Sequence, residues 1–200
     1  MDERKRDRQL RIKTDGLREW QQQSVHYNRY EATPYEGLDA LFEEYSMPQG
    51  RFVDFGCGKG RVPFYVHHRF GMDVTGVEMK GQLYQEAFEN LMNYKETFPK
   101  RKGTVTFECC LAEAFPIPSD AAVFYFFNPF SAAIFRTVVD AVLDSVEQTK
   151  RTVDIILYYP TAEYEEYLAS HPAFRLIHEI PIVHLHFHDK RERFVVYRCE

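Results

Sequence analysis

The stretch Arg51-Phe-Val-Asp-Phe-Gly-Cys-Gly-Lys-Gly-Arg-Val62 decides the reading of this chain. A short apolar run carrying an acid, Asp54, leads into three alternating glycines, Gly56, Gly58 and Gly60. Glycine loses more backbone entropy on folding than any other residue, so the cluster implies a left-handed turn or a close approach of backbone to something else. It lies between a predicted strand, residues 51–55, and a predicted helix, residues 61–70, whose Pro63 is tolerable in the first turn.

Outward from this turn, strand and helix patterns alternate. The spacing predicts strands over 73–77, 104–110, 121–127 and 152–159, and helices over 79–96, 131–149 and 161–169. Residues 121–127 form a continuous apolar run, as a strand buried on both faces requires. On the helix over 79–96, Leu83, Ala87, Phe88, Leu91 and Met92 form the expected inner stripe. On 131–149 that stripe is Ile134, Phe135, Val138, Val139, Val142, Leu143 and Val146. Two β-rich runs at the C-terminus, FRLIHEIPIVHLHFH and RFVVYRC, are separated by DKRE and read as an antiparallel hairpin. The fold class is therefore α/β, a mostly parallel sheet with helices on both faces.

Upstream, residues 3–23 read as a polar helix broken near Gly16. Residues 35–46 read as an amphipathic helix with Leu38, Leu41, Phe42 and Tyr45 inward, Thr33 as cap and Pro34 at its first position. The domain division is residues 1–48 as an N-terminal helical extension covering the site and 49–200 as the main domain.

The chain has 200 residues, 44% hydrophobic and 16% aromatic, enough for a core, with a net charge of −5. That balance disfavours duplex nucleic acid and RNA as partners. The first 18 residues carry seven Lys/Arg against four acids. They read as a solvated helix or as an arm touching an acidic partner. No apolar run reaches the roughly 18 residues of a membrane helix, and the charged start is unlike a signal peptide, so a cytoplasmic location without membrane association is expected. Cys57, Cys109, Cys110 and Cys199 form no C-x-x-C pair and read as reduced thiols, with Cys109 and Cys110 on opposite faces of a strand. His184, His186 and His188 alternate in HLHFH and would share one strand face. With no acid or Cys at suitable spacing, no metal is assigned to them.

The dinucleotide fingerprint needs glycines at i, i+2 and i+5, and here i+5 is Arg61. The Gly-Lys-[Ser/Thr] of a P-loop is absent. Asp54-Phe55-Gly56-Cys57-Gly58-Lys59-Gly60 instead resembles motif I of the class I S-adenosylmethionine-dependent methyltransferases. Glu78, at the end of the second strand, stands where that family has an acid for the ribose hydroxyls. The segment CLAEAFP follows the third strand, where the family contacts adenine. Leu111 stands where an acid often stands and Ala112 where a small residue does, so an adenine hydrogen bond from side chain 111 is not expected. Asn128-Pro129-Phe130 resembles, one proline short, the [NDS]-P-P-[YF] motif of methyltransferases acting on nitrogen. Tyr30-Glu31-Ala32-Thr33-Pro34-Tyr35 is similar to the segment of seven-strand lysine methyltransferases in which an aromatic and a Thr close over the cofactor.

The resemblance implies a seven-stranded Rossmann-like sheet of order 3-2-1-4-5-7-6 and S-adenosylmethionine as cofactor. It implies Asp54, Gly56, Cys57, Gly58, Gly60, Glu78, Leu111, Ala112, Asn128, Tyr30 and Thr33 around that cofactor, and Asn128, Pro129 and Phe130 at the reacting centre. The acceptor, a small molecule or a protein, is expected to present nitrogen. The alternative function is a non-catalytic module that binds the cofactor or a partner. Oligomeric state is not read from the sequence.

Overall fold

The computed structural model describes residues 2–16 and 30–200. One seven-stranded sheet carries the fold, in the order β3-β2-β1-β4-β5-β7-β6. The strands are β1 (Arg51–Phe55), β2 (Val74–Val77), β3 (Val105–Glu108), β4 (Ala121–Phe126), β5 (Val153–Tyr158), β6 (Arg175–Pro181) and β7 (Arg193–Cys199). The first five run parallel, and β7 is inserted antiparallel between β5 and β6. The expected order is the one observed.

Every residue of β4 and β5 is buried, which accounts for their unbroken apolar runs. On one face lie α2 (Tyr35–Glu44), α3 (Arg61–Phe70) and α4 (Gly81–Thr97), with α1 (Glu3–Leu10) packed outside α3. On the other lie α5 (Ala132–Gln148) and α6 (Ala162–Ser170). Strand order reverses between β1 and β4, so the turns after these strands open onto one crevice, where open α/β sheets bind ligands.

Several local expectations are corrected. The N-terminal helix stops at Leu10, where Arg11 takes a left-handed φ of 59° and Ile12 N–H returns to the Asp7 carbonyl. The buried Asp7 carboxylate draws both the N–H and the hydroxyl of Thr14 back toward the helix, which bends the chain away from it. With Asp7 and Leu10 buried, α1 is a packed element. Residues 17–23 of the expected helix lie outside the described residues.

Thr33 does not cap α2. Its hydroxyl is taken by Tyr125 Oη at 2.8 Å, and the first amide of the helix donates to Glu3 Oε1 at 3.1 Å. On α4 the inner stripe is Leu83, Ala87, Asn90, Leu91 and Tyr94, while Phe88 and Met92 are exposed. Asn90 is held inside by the backbone of Lys13 and Lys59. On α5, Ile134 and Leu143 are only partly buried at the edges of the expected stripe. Strand β3 ends at Glu108, so Cys109 and Cys110 lie beyond it and do not alternate across the sheet.

HLHFH is not a strand. β6 and β7 pair from Arg175↔Arg198 to Pro181↔Arg193, leaving nothing for residues 183–188 to pair with. Their backbone turns into a short helix, α7 (Val183–His186), and the expected common face of three histidines is lost.

At the far side of the sheet the fully buried Asp154 carboxylate accepts both guanidinium arms of Arg198 at 2.8 Å and Tyr45 Oη at 2.5 Å. This triad ties β5, β7 and α2 together. Removing one member leaves a buried charge uncompensated. Arg198→Ala is expected to cost roughly 3–5 kcal/mol in urea denaturation. A loss no larger than that of an exposed-site substitution would contradict this role.

Candidate functional site

The glycine turn sits at the head of the crevice. Gly56, Gly58 and Gly60 all adopt positive φ, of 77°, 55° and 88°. All three are also required by close approach. A Cβ on Gly58 would lie 2.1 Å from the Tyr30 ring, and one on Gly56 would lie 2.5 Å from Pro129 Cβ. The turn therefore meets side chains of its own chain, from the connector on one side and from the loop after β4 on the other. Gly60 backs onto the Phe107 ring in the core and starts α3.

Glu78 follows β2, which pairs with β1 in register up to Phe55↔Val77. Its carboxylate is nearly buried and accepts Gly58 N–H at 3.0 Å on one oxygen and Lys80 N–H at 2.8 Å on the other. This clamp fixes the glycine turn against the end of β2. Each oxygen keeps acceptor capacity, because an ionised carboxylate offers about four lone-pair sites.

Asp54 is 3% exposed, and among the described residues no hydrogen-bond donor reaches its carboxylate. Burial, and after it the charge of Glu78, hold its pKa well above the ordinary carboxylate range. Burial also raises Glu78, against the pull of the Lys80 and Gly58 amides. An undonated carboxylate in that position is costly unless a cation or a donor completes it.

The N-terminal arm forms the wall behind the turn. Arg61, the first residue of α3, is 5% exposed. It ion-pairs with Glu3 and Asp7, donates to Thr14 Oγ1 at 2.7 Å and to the Thr33 carbonyl at 3.2 Å, and lies over the Tyr35 ring at 4.6 Å. Thr14 in turn offers its carbonyl to Tyr30 Oη at 2.7 Å. Lys59 donates to the Asp15 carbonyl, pairs with Glu86 at 3.2 Å and lies over the Tyr30 ring.

Between these walls a cavity opens, lined by Tyr30, Glu31, Gly56, Glu78, Met79, Lys80, Cys110, Ala112, Phe127, Pro129 and Phe130, with Val77 and Leu83 at its base. Of the sequence-derived site residues, Tyr30, Gly56, Glu78, Ala112, Pro129 and Phe130 line it. Gly58, Cys57 and Gly60 belong to the turn beside it, and burial raises the Cys57 thiol. Leu111 is 44% exposed and is not in the lining, Thr33 is buried behind Tyr125, and Asn128 stands at the end of β4 with a left-handed φ of 40°. Phe130 is packed on Phe126 and its carbonyl accepts Tyr164 Oη at 2.5 Å.

Glu31, Lys80, Cys110 and Phe127 were missed. Glu31, Cys110 and Phe127 directly adjoin Tyr30, Leu111 and Asn128, and Lys80 lies two residues past Glu78. Arg61 was noticed for breaking the dinucleotide fingerprint, and nothing local signals that its partners lie some fifty residues upstream.

No protein-family model matches the chain, and no curated protein sequence does. Solved structures do. The PH0226 protein from Pyrococcus horikoshii OT3 is 16% identical, with a TM-score of 0.58 over 82% of this chain and 89% of the other. A human methyltransferase 10 domain containing protein is 12% identical, with a TM-score of 0.57 over 86% and 85%. An S-adenosylmethionine-dependent methyltransferase from Thiobacillus denitrificans, in complex with S-adenosyl-L-homocysteine, is 12% identical, with a TM-score of 0.52 over 84% and 90%. The chain has the class I methyltransferase fold. Within that fold, the crevice beside β1 and β4 is the cavity described above, and the antiparallel β7 is the feature that distinguishes the sheet from an all-parallel dinucleotide-binding one.

The approach of Tyr30 to Gly58 is testable. Gly58→Ala forces an alanine into φ 55° at about 1–2 kcal/mol and pushes Cβ into the ring. In a double-mutant cycle, Gly58→Ala is expected to destabilise the wild type more than the Tyr30→Ala background. Equal losses in both would show that the ring does not sit on the turn.

Proposed function

We propose that the chain is an S-adenosylmethionine-dependent methyltransferase acting on a nitrogen acceptor. The observation that carries this reading is the pair of buried carboxylates at the ends of adjacent parallel strands, Asp54 on β1 and Glu78 after β2, the first without a donor among the described residues. They fit the two polar ends of such a cofactor. Asp54 suits an ammonium group. Glu78 retains acceptor capacity for ribose hydroxyls, and Ala112 and Met79 offer apolar lining for an adenine. When bound, S-adenosylmethionine supplies an activated methyl group on a sulfonium.

The protein's part is alignment. Holding two reactants in productive geometry contributes roughly 7–11 kcal/mol. The Glu78 clamp and the Arg61 anchor keep both walls of the cavity fixed. Asn128, Pro129 and Phe130 bound the acceptor side. The left-handed backbone of Asn128 is the kind of strain that collects at functional sites, and it supports a role there. The extension over residues 1–48 acts as a cover through Tyr30.

The test uses pH. Because the folded pKa of Asp54 is raised, the folded protein holds a proton that the unfolded chain has lost, and its stability falls as pH rises through that window. A bound ammonium favours the ionised form, so affinity for S-adenosylhomocysteine is expected to rise from acid toward neutral pH, with proton release on binding. Calorimetric titrations of the wild type and Asp54→Asn across that range check it. The variant is expected to bind more weakly and to lose the pH dependence. The same pH dependence in the variant would remove Asp54 from the site.

A further inference from the structure

A second cavity opens where α1, α2, α3 and the turn after α4 meet, and it shares no lining residue with the first. Its volume, about 550 Å³, lies within the roughly 300–1,000 Å³ of small-molecule sites. Three guanidiniums line it: Arg6 from α1, Arg69 from α3 and Arg101 from the turn. Among the described residues of the lining, Asp39 of α2 is the one carboxylate. Three positive charges against one negative leave a surplus of two, on a chain whose net charge is −5.

The arrangement of α1 explains the imbalance. Glu3 and Asp7, one turn apart, are turned toward the buried Arg61. Arg6 and Leu10, also one turn apart, fall on a neighbouring face and line the cavity. These two acids of the helix are thereby held away from its own arginine. Asp39 is shared: it pairs with Arg6, lies 3.8 Å from Arg69 Nη1 and accepts Tyr65 Oη at 2.7 Å. Arg69 donates to Tyr65 Oη at 2.6 Å and to the Phe42 carbonyl at 3.3 Å, which leaves other N–H groups of its fork uncommitted. Arg101 is exposed and has no carboxylate partner among the described residues. Burial first, then the charges of Arg101 and His67, hold the His68 imidazole of the lining below its ordinary pKa. At neutral pH it therefore adds a ring to the wall and no charge.

A surplus of two positive charges matches a phosphate monoester, which carries about −1.5 to −2 at pH 7. Guanidiniums recognise such a group bidentately. A carboxylate or a sulfate ester brings one charge and leaves part of the surplus unmatched. We propose that this cavity binds a phosphate monoester, with the phosphate held by Arg6, Arg69 and Arg101 and the organic body against Leu10, His68 and Phe98. The proposal is independent of what the first cavity holds.

Phenyl phosphate and phenyl sulfate share a ring and differ in charge. Both are titrated calorimetrically into the full chain at about pH 8, where the phosphate is a dianion. Phenyl phosphate is expected to bind one to one and at least about fivefold more tightly than phenyl sulfate. Arg101→Gln is expected to weaken phenyl phosphate by about tenfold, and Arg136→Gln, an exposed position of α5 on the opposite face of the sheet, by less than about twofold. Absence of saturable phenyl phosphate binding, equal binding of phosphate and sulfate, or equal losses in the two variants would overturn the assignment. Uridine 5′-monophosphate and glucose 6-phosphate, titrated in parallel, tell a nucleotide from a sugar phosphate as the source. Binding of either supports the assignment, and binding of neither overturns it.

Discussion

The Arg61 guanidinium is the joint on which the arrangement of the site depends. It stands one residue past the last glycine of the turn, almost wholly out of solvent. Burying it is expensive unless each donor is met, and the N-terminal segment supplies the partners: Glu3 and Asp7 from α1, Thr14 from the arm and the Thr33 carbonyl from the connector. A planar fork can hold several partners in fixed directions, which a lysine could not. Once Thr14 is placed, its carbonyl places Tyr30, and Tyr30 closes on Gly58. The loop that begins the cavity and the arm that walls it are thus one polar network.

The glycines acquire a fuller explanation from this network. A cofactor is one reason for backbone to be left bare, and the close approaches of Tyr30 and Pro129 are another. On the proposed reading the two reasons act together, because both rings also line the cavity. Glu78 has a similarly double part: it holds the turn through Gly58 N–H and faces the cavity with what acceptor capacity remains. Asp54 stands apart, since no described group completes it.

The sheet was legible in the sequence because its signals are local. β1 and α3 fall where the apolar run, the glycines and Pro63 put them, and the buried β4 and β5 read as unbroken apolar stretches. What misled was chemistry satisfied at a distance. Thr33 looks like a helix cap, yet Tyr125, ninety-two positions away, takes its hydroxyl. Asn90 looks like a surface residue, yet it bridges the arm and the turn, and the helix rotates to bury it at the expense of Phe88 and Met92. HLHFH has strand alternation, but β7 is too short to pair with it. Of the residues carried by motif spacing, Gly56, Glu78, Ala112, Pro129 and Phe130 line the cavity. Glu31, brought in by the connector, needed the three-dimensional arrangement.

The central claim is that this crevice holds an adenosyl amino acid and not a dinucleotide. Isothermal titration of the wild-type chain with S-adenosylhomocysteine, in parallel with NAD, addresses it directly. The account requires saturable one-to-one binding of the first in the micromolar range and none of the second. Binding of NAD alone, or of neither, would contradict it and would leave the glycine turn explained by Tyr30 and Pro129 alone.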